Sequence, residues 1–486
     1  MRIHCPIKKN ALKYGRQPAI ISDEATLTYE AFDRAIDRSA QKLRDIGIKE
    51  KERVCIVSPK NHEYIIALFA LWRIGAVACL LSDRLPLDAL SAQIKNIRGK
   101  ILLASEAKAY KNLPITVISL QNVVTKNASP ALSKDAFCAL DRPLTILFTS
   151  GSSFLPKAVQ HTFSNHYYSA LGSDENIPVK PSDRWLLSVP LFHVSGVSIL
   201  FRCFLKGAAV VLSQENDIRA IINKHHISHV SFVATQLQRA LALKEGAKSL
   251  RKLKAILGGG SAIPQQLIAQ ARREKLPLYV SYGLTEMASQ VATTGVLNRK
   301  GVSLKAKVLR YRKIRIANDG EILVSGKTLF QGYIKNGVLK SAIDAQGWFH
   351  TGDSGSLTKG KFLMVRGRKD TMFISGGENI FPEEIEYFLR TCAFVEDALV
   401  VAKPHQEYGF RPAAFIKAKE NKRLSRLALV KHLGKFLPKF KIPDAFYLWP
   451  KELSVSGMKP NRSVFQRLLV NARHYAQGSA LQCLAL

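Results

Sequence analysis

Acidic residues are scarce in this chain of 486 residues. Aspartate and glutamate together number 37, against 72 lysines and arginines, so the formal net charge is +35. Such an excess is compatible with binding to nucleic acid, anionic lipid or acidic small molecules. However, the basic residues are spread along the chain without a run of five, and no helix-turn-helix, RNA-recognition or zinc-finger spacing accompanies them. Nucleic-acid binding is therefore disfavoured as the main role.

Paired cysteines and long apolar runs are also missing. The seven cysteines include no Cys-x-x-Cys pair, and their odd number argues for reduced thiols rather than a disulfide framework. Apolar runs such as Tyr64 to Trp72 end well before the ~20 residues that cross a bilayer, and the charged N-terminus has no apolar stretch behind it. These absences predict a cytoplasmic protein without a secretory signal or a transmembrane segment.

The apolar periodicity predicts an α/β fold of about two to four folding units. β-branched runs alternate with amphipathic stretches, as in Arg53–Val57 followed by the helical pattern of His62–Gly75, which is typical of buried, mostly parallel strands. After Gly301, short strands and the turn Asn318-Asp319-Gly320 predict a β-rich portion. Past Arg368 the pattern predicts a small α+β unit. Its predicted helices and strands are Pro382–Leu389, Val395–Val401, Ala413–Ala418 and Leu424–Phe436.

The strongest local pattern is a strand, Leu144–Phe148, that runs into a hydroxyl-rich loop ending at Lys157. Hydroxyls, backbone N–H groups near a glycine and one cation are the groups that bind a polyphosphate. The candidate phosphate-binding residues are Thr149, Ser150, Gly151, Ser152, Ser153 and Lys157. The loop lacks the Gly-Lys-Ser/Thr of a Walker A motif, and taken alone a surface turn explains it equally well.

Further motifs follow this loop along the chain. They are Pro190–His193, Gly258–Ser261, Ser281–Glu286, Thr351–Asp353, Gly367–Asp370 and Gly457–Lys459. In this order they resemble the motif series of the adenylate-forming superfamily, which includes acyl-CoA synthetases, peptide-synthetase adenylation domains and beetle luciferases. The resemblance covers nearly the whole chain. It implies a large N-terminal region of layered α/β subdomains plus a β-rich portion, over residues 1–368, and a small mobile α+β lid domain, over residues 369–486.

The resemblance implies an AMP-forming acid–CoA ligase. Such an enzyme activates a carboxylic acid with ATP as an acyl-adenylate, with Mg²⁺ on the phosphates, and then transfers the acyl group to coenzyme A. The expected partners are therefore a small-molecule acid, ATP and CoA, while assembly into a homo-oligomer stays open. No carrier segment of the Leu-Gly-Gly-x-Ser type follows Lys459, which disfavours a carrier-linked adenylation domain.

Several residues match family positions with a chemical role. Asp353 would accept hydrogen bonds from both ribose hydroxyls, unless it is a turn aspartate. Glu286, after Thr285, would be the magnesium ligand, because a hard oxygen suits a hard cation. Lys459 would offset the charge that develops at the α-phosphate during adenylation. The Gly-x-Lys spacing has one residue more than the usual Gly-Lys, and Lys451 is the competing lysine.

The nucleotide and CoA sites follow from the same resemblance. Tyr282 would stack on adenine, although a core tyrosine is the alternative. The other adenine- and ribose-binding candidates are Gly259, Gly260, Ser261, Gly283 and Arg368. Asp370 matches the hinge between the two domains. The CoA-binding candidates are Gly376, Gly377, Lys439 and Lys441, the lysines having solvated helix-end charges as the alternative.

Three segments resemble o-succinylbenzoate–CoA ligases of menaquinone biosynthesis: Phe192–Arg202 with His193 at the aromatic gate, Ile227–Leu237, and Thr285–Gln290. This acid carries a second carboxylate, for which Arg202, Ser289 and Gln290 are candidate partners. Pairing of Arg202 with a structural carboxylate is the alternative.

Phe154 and Ala158 stand where the family has glycines, which predicts weaker pyrophosphate contacts. An aryl or medium-chain acid–CoA ligase and a catalytically weak nucleotide-binding homologue therefore stay open as alternatives.

Overall fold

The structure is a computed structural model that describes residues 1–124, 137–149, 156–260, 263–297, 305–358, 361–376, 378–450 and 462–471. The chain divides into two compact units. The first unit consists of Met1–Ile263, Gln270–Ile314 and Val324–Phe349, and the second of Pro264–Ala269, Arg315–Leu323 and His350–Leu486. Both units combine helices with sheets, which confirms the predicted α/β class. The domain boundary at residue 368 stays a prediction.

The helices and strands up to residue 340 are, in chain order, β1 (Arg2–His4), α1 (Pro6–Tyr14), β2 (Pro18–Ile21), β3 (Thr26–Thr28), α2 (Tyr29–Asp45), β4 (Arg53–Val57), α3 (His62–Ile74), β5 (Val77–Leu80), α4 (Leu87–Ile97), β6 (Ile101–Ala104), β7 (Thr116–Ser119), α5 (Leu120–Val123), β8 (Phe137–Ala139), β9 (Pro143–Phe148), β10 (Ala158–Thr162), α6 (Phe163–Asp174), β11 (Arg184–Leu186), α7 (Val194–Lys206), β12 (Ala209–Val211), α8 (Ile218–His225), β13 (His229–Phe232), α9 (Ala234–Ala242), α10 (Gly246–Leu250), β14 (Ala255–Gly258), α11 (Gln265–Arg273), β15 (Leu278–Leu284), β16 (Ser289–Thr293), β17 (Ala306–Val308), β18 (Arg312–Ile316), β19 (Glu321–Gly326), β20 (Gly332–Lys335) and β21 (Val338–Lys340).

The elements from residue 349 onward are β22 (Phe349–Thr358), β23 (Phe362–Arg368), β24 (Phe373–Ser375), β25 (Glu378–Ile380), α12 (Pro382–Arg390), β26 (Val395–His405), β27 (Gly409–Ala418), α13 (Arg426–Leu433), β28 (Ala445–Leu448) and α14 (Arg462–Asn471). Single 3₁₀ turns cover Ala107–Tyr110, Thr285–Met287 and Lys439–Lys441.

Helix α3 shows how local sequence sets the elements of the first unit. The Asn61 side chain caps its N-terminus by accepting a hydrogen bond from the Tyr64 amide at 2.8 Å. Gly75 ends the helix with φ of +87°, a left-handed conformation that glycine adopts without strain. The helix is almost wholly buried because its own side chains are mostly apolar on every face.

Two sheets of the first unit carry the predicted site residues. One has the strand order β21-β20-β10-β9-β5-β4-β6-β7, with β9 and β10 antiparallel. The other runs β3-β2-β12-β11-β13-β14-β15-β16-β17 within this unit, and its strands from β12 to β15 are parallel. The carboxyl ends of parallel strands share one edge of a sheet, where ligands of α/β proteins commonly bind. The residues after β14 and β15 are therefore brought together.

The second unit contains the hairpin β22–β23 and a sheet of the strands β25-β24-β27-β26, with β28 parallel to β27. Helices α12 and α13 cover this sheet through a shared apolar cluster that includes Ile385, Leu389, Leu429 and Leu433. In the part of the chain that the structure describes, no helix is long and apolar enough to cross a membrane.

A buried cluster of charges joins the first three helices. Arg73 on α3 donates to Asp33 and Asp37 on α2 at 2.7 Å each, and Lys8 on α1 lies 3.0 Å from Asp37. The side chains of Arg73 and Asp37 are only 7% and 4% exposed. A buried carboxylate without its partner is strongly destabilising, so this cluster fixes how the helices pack.

We predict that R73M lowers the free energy of unfolding by about 3 kcal/mol, because it leaves two carboxylates buried with Lys8 as their remaining cation. R34M is the matched control, since Arg34 pairs with Glu30 on the exposed face of α2 and such surface pairs contribute about 0.5 kcal/mol or less. Urea unfolding measures both variants. Equal losses in the two would show that the buried cluster has no special role.

Candidate active site

The predicted phosphate loop connects two antiparallel strands of the first unit. Its ends are closed by a hydrogen bond from the Thr149 amide to the Lys157 carbonyl at 3.0 Å. Ala158, in place of a glycine, is fully buried in strand β10 opposite Phe148, so its backbone does not need a glycine conformation. The remaining predicted loop residues Ser150, Gly151, Ser152 and Ser153, and also Phe154, lie outside the described residues.

Tyr333 on β20 links the phosphate loop to the predicted magnesium ligand. Its hydroxyl donates to Glu286 Oε1 at 2.7 Å, and the Lys157 ammonium lies 5.1 Å from the centre of its ring. His161 on β10 donates from Nε2 to the Thr285 carbonyl at 2.7 Å, which fixes the backbone next to Glu286. The structure therefore brings Lys157, Thr285 and Glu286 together, as the motifs predict for a site that holds Mg²⁺ on phosphates.

The predicted adenine-binding segments follow two adjacent parallel strands. β14 and β15 pair with Gly258 opposite Val280, so Gly259 and Gly260 follow β14 at the level where β15 continues to the half-buried Tyr282. A Cβ at Gly259 would stand 2.6 Å from Ser281 Oγ, so a side chain there would disturb this edge. A Cβ at Gly283 would stand 2.2 Å from the Ser289 carbonyl oxygen, so only glycine fits. Ser261 lies outside the described residues.

The segment between Glu286 and Gln290 has an unusual backbone. Ala288 and Ser289 both have positive φ, +51° and +101°, which costs energy for residues other than glycine. Ser169 Oγ donates to the Ala288 carbonyl at 2.6 Å and so helps to hold this conformation. The strained turn places Gln290 on β16 with its side chain buried.

Gln290 is the centre of the predicted acid-binding residues. Its Oε1 accepts from Arg202 Nη2 and from Ser173 Oγ, both at 2.7 Å, and Arg202 Nε donates to Ser173 Oγ at 3.0 Å. Arg202 also lies over the ring of Trp185, with 5.3 Å between its Cζ and the ring centre. Ser289 is the residue before Gln290 and begins β16. His193, at the N-terminal end of α7, lies with its ring centre 4.6 Å from that of Phe192 in a tilted arrangement, and burial lowers its pKa.

A second buried arginine, Arg312, contacts the same glutamine. Its Nε donates to the Gln290 carbonyl at 2.8 Å, and Nη2 donates to both oxygens of Ser169 at about 3 Å. Burial lowers the pKa of Arg202 to about 10, and burial together with Arg202 lowers that of Arg312 to about 9. Glu175 offsets this only in part. Among the described residues, neither guanidinium forms an ion pair with a carboxylate.

The predicted ribose and hinge residues lie in the second unit. Asp353 and Arg368 are opposite each other in the β22–β23 hairpin, with 3.2 Å between Oδ1 and Nη1. Arg368 also donates to both oxygens of Asp370, at 3.1 and 3.0 Å. These two carboxylates, Asp370 foremost, raise the pKa of Arg368 above its ordinary value. One guanidinium therefore connects the predicted ribose ligand to the predicted hinge.

The predicted CoA-binding residues also lie in the second unit. Gly376 has φ of +56° and its amide donates to the Tyr408 carbonyl at 3.1 Å. Lys439 and Lys441 belong to one 3₁₀ turn, in which Lys441 pairs with Glu384 at 2.6 Å. Gly377 and Lys459 lie outside the described residues.

The sequence pattern that defines AMP-binding enzymes matches residues 7–334, and that of the AMP-binding enzyme C-terminal domain matches residues 384–457. This chain belongs to the AMP-binding enzyme family. The resemblance to adenylate-forming enzymes is thereby confirmed.

Named relatives of this AMP-binding enzyme match over most of its length. A 2-succinylbenzoate–CoA ligase from Listeria monocytogenes is 33% identical, over 92% of this chain and 96% of the relative. Its Bacillus subtilis counterpart is 31% identical, over 88% and 90%. The structure of Bacillus subtilis o-succinylbenzoate CoA synthetase in complex with the acyl-adenylate intermediate superimposes with a TM-score of 0.83, at 29% identity over 95% of this chain and 96% of the other. The same synthetase has been solved with ATP and a magnesium ion, also with a TM-score of 0.83, at 29% identity over 92% and 96%.

Sequence reasoning missed Tyr333 and Arg312 in this AMP-binding enzyme. Each lies in a short strand with no distinctive local pattern. Tyr333 reaches the site because β20 pairs with the distant β10, and Arg312 reaches it through a side-chain hydrogen bond to Gln290. Only the register of β10 with β20, in which Val159 is opposite Tyr333, places the phenol near the phosphate loop. No local pattern in the sequence predicts that either residue contacts the site.

Behind Arg202, Trp185 stacks on a second buried ring. His229 lies parallel to Trp185 with 4.9 Å between ring centres, and its Nδ1 is 2.8 Å from Ser228 Oγ. Burial lowers the pKa of His229 to about 4, and Arg202 contributes in the same direction. The folded enzyme therefore holds this imidazole neutral.

We predict that stability falls as the pH drops below the ordinary histidine pKa of about 6.5 towards 4, because His229 gains a proton more readily in the unfolded chain. The stabilisation that comes from keeping His229 neutral is fully present above a pH of about 6.5, and it decreases by about 1.4 kcal/mol per pH unit as the pH falls towards 4. H229N should flatten the slope between pH 7 and 5 in urea unfolding. H226N, at an exposed histidine with left-handed backbone that asparagine tolerates, is the control. An unchanged slope in H229N would contradict the assignment.

Proposed function

We propose that this chain is the ATP-dependent ligase that joins o-succinylbenzoate to coenzyme A in menaquinone biosynthesis. The reaction has two half-reactions: formation of an acyl-adenylate with release of pyrophosphate, and transfer of the acyl group to the CoA thiol. ATP and CoA are the co-substrates, and Mg²⁺ would neutralise the phosphate charge from a site that includes Glu286. Family membership and the named relatives support the ligase chemistry.

One observation carries the choice of acid. Arg202 and Arg312 are 3% and 6% exposed, stay charged at neutral pH, and contact the two ends of the same glutamine. A buried cation without a carboxylate is unfavourable unless a ligand supplies the negative charge. The free carboxylate of o-succinylbenzoate, on the benzene ring, would supply it while the succinyl carboxylate reacts. A fatty acid or benzoate has no second carboxylate, so the site would select against both.

Arg202, Ser289 and Gln290 are therefore proposed to hold the acid, with His193 at the entrance of its pocket. Thr149, Lys157, Thr285 and Glu286 are proposed for the phosphates and Mg²⁺, and Tyr282 with Gly259, Gly260 and Gly283 for adenine. Asp353 and Arg368 would hold the ribose, and Gly376, Lys439 and Lys441 the CoA. Lys459 is proposed to act in adenylation, with Asp370 as the hinge between domains 1–368 and 369–486.

A cytoplasmic location is proposed as well, since the chain has no cysteine pairing pattern. A homo-oligomer remains an open proposal that sedimentation would decide.

The deciding experiment measures pyrophosphate release from ATP and Mg²⁺ with o-succinylbenzoate, benzoate and octanoate in parallel, each with and without CoA. Fast release with o-succinylbenzoate, much slower release with benzoate and octanoate, and a CoA thioester as product are the expected results. Release with benzoate or octanoate instead would keep the ligase and refute the substrate. No pyrophosphate release with any of the three acids would favour a non-catalytic nucleotide-binding homologue with an altered phosphate loop.

We predict that R202M lowers kcat/KM for o-succinylbenzoate by about 10²-fold, since it removes one charge partner of the free carboxylate. The much weaker reaction with benzoate, which lacks that carboxylate, should change little. R219M, at an exposed pair with Asp217, is the control for loss of an arginine. Equal losses with both acids would mean that Arg202 has a structural role only.

We predict that K459A lowers o-succinylbenzoate-dependent ATP–pyrophosphate exchange by at least about 10²-fold, because a positioned cation at developing charge contributes that much to the rate. Thioester formation from added o-succinylbenzoyl-adenylate should stay near the wild-type rate. K451A tests the competing lysine and should leave exchange unchanged. The reverse pattern would move the catalytic role to Lys451.

A further inference from the structure

Glu383, in the first turn of α12, joins two segments that are far apart in the sequence. Its Oε1 accepts from Thr371 Oγ1 at 2.8 Å and from Arg462 Nη2 at 3.0 Å. Thr371 follows the proposed hinge residue Asp370, and Arg462 follows Lys459 by three residues. One carboxylate oxygen thus connects the hinge segment to the first residue of α14.

Arg462 is firmly held at its end of this connection. Its Nη1 donates to Glu386 Oε1 and to the Val400 carbonyl, and the Val400 amide donates back to Glu386 Oε1 at 2.8 Å. Burial alone lowers the pKa of Arg462, but the carboxylates of Glu386, Glu383 and Asp370 raise it above its ordinary value. The charged guanidinium therefore holds α12, β26 and the start of α14 together.

The connection continues on the hinge side. Thr371 Oγ1 also lies 3.0 Å from the Arg368 carbonyl oxygen, so its hydroxyl is positioned between Arg368 and Glu383. The Arg368 guanidinium in turn contacts both Asp370 and Asp353. Polar contacts within the second unit therefore run without a break from the proposed ribose ligand, past the hinge, to Arg462.

We propose that Glu383 is a positioning residue for the adenylation half-reaction. It ties the hinge segment to Arg462, which begins α14 three residues after Lys459, so that the hinge segment and α14 adopt their positions together. The inference rests on the proposed function, and within it on the role of Lys459 in the first half-reaction. The second half-reaction does not use Lys459, so it should tolerate the loss of this tie.

The neighbouring Glu384 provides a matched control. It has the same charge, occupies the same helical turn and pairs with Lys441 at 2.6 Å, but it contacts neither Thr371 nor Arg462. E383Q and E384Q therefore remove one charge each from the same place on α12, and only E383Q weakens the connection. E384Q should leave the rate of adenylation unchanged.

The test separates the half-reactions in the full-length enzyme. Adenylation is followed by ATP–pyrophosphate exchange with o-succinylbenzoate, and the second step by CoA thioester formation from added o-succinylbenzoyl-adenylate. We expect E383Q to slow exchange by about 10²-fold, the loss that a small misplacement of a catalytic group causes, with thioester formation near the wild-type rate. T371V, which removes only the hinge contact and keeps the shape of the side chain, should give the same split with a smaller loss.

Two outcomes would overturn the inference: equal losses in both half-reactions, or exchange at the wild-type rate in both E383Q and T371V. R462K provides a further test, because a lysine cannot contact Glu383 and Glu386 in a fork. If Glu383 and Arg462 act through one another, the double variant E383Q/R462K should lose no more of the exchange rate than the worse of the two single variants. A loss in the double variant equal to the product of the two single losses would refute the connection. Absence of exchange in the wild-type enzyme with every acid would refute the proposed function itself.

Discussion

A buried guanidinium keeps its charge, and this constraint shapes the described parts of the chain. Arg73 and Arg462 are each satisfied by two carboxylates, Asp33 with Asp37 and Glu383 with Glu386. Arg202 and Arg312 are more deeply buried than Arg462 and are held by an amide, hydroxyls and backbone carbonyls alone. The first arrangement completes a charge pair within the protein. The second has no carboxylate among the described residues, and we propose that a ligand neutralises its two positive charges.

The scarcity of acidic residues explains why the difference between the paired and the unpaired buried arginines is informative. In a chain with a net charge of +35, many basic side chains remain without a carboxylate, but at the surface water and salt screen them at little cost. Screening is far weaker in the interior. Several buried carboxylates, such as Asp33, Asp37 and Glu386, fix helix packing and the start of α14. The interior near Gln290, where arginines are present without them, is therefore the exception that needs a functional explanation.

Much of the fold was predictable because local signals set it. The strand Arg53–Val57 has the predicted bounds, and the helix predicted over Pro382–Leu389 extends by one residue. The strand predicted at Val395–Val401 continues to His405, since its antiparallel partner supplies hydrogen bonds that no local pattern reveals. The adenylate-forming motifs were recognisable because each is a continuous segment.

The residues that hold the site residues in place were not predictable, because they act over long distances in the sequence. Tyr333, Arg312 and Glu383 each act on residues more than ten positions away, and a single tyrosine, arginine or glutamate has no signature of its own. Ala158 occupies an ordinary strand position, and its effect on pyrophosphate contacts stays a prediction. The predicted residues 150–153, Ser261, Gly377 and Lys459 lie outside the described residues and keep the standing of predictions.

The same buried charges connect substrate choice to stability. With no ligand bound, Arg202 lowers the pKa of Arg312 across Gln290, in addition to the effect of burial. A dicarboxylate would remove that repulsion, so its binding energy would include the relief of a strain already present in the free enzyme. A monocarboxylate whose only carboxylate must reach the α-phosphate cannot provide this relief. Selection for a second carboxylate therefore follows from the cost of the buried cations themselves.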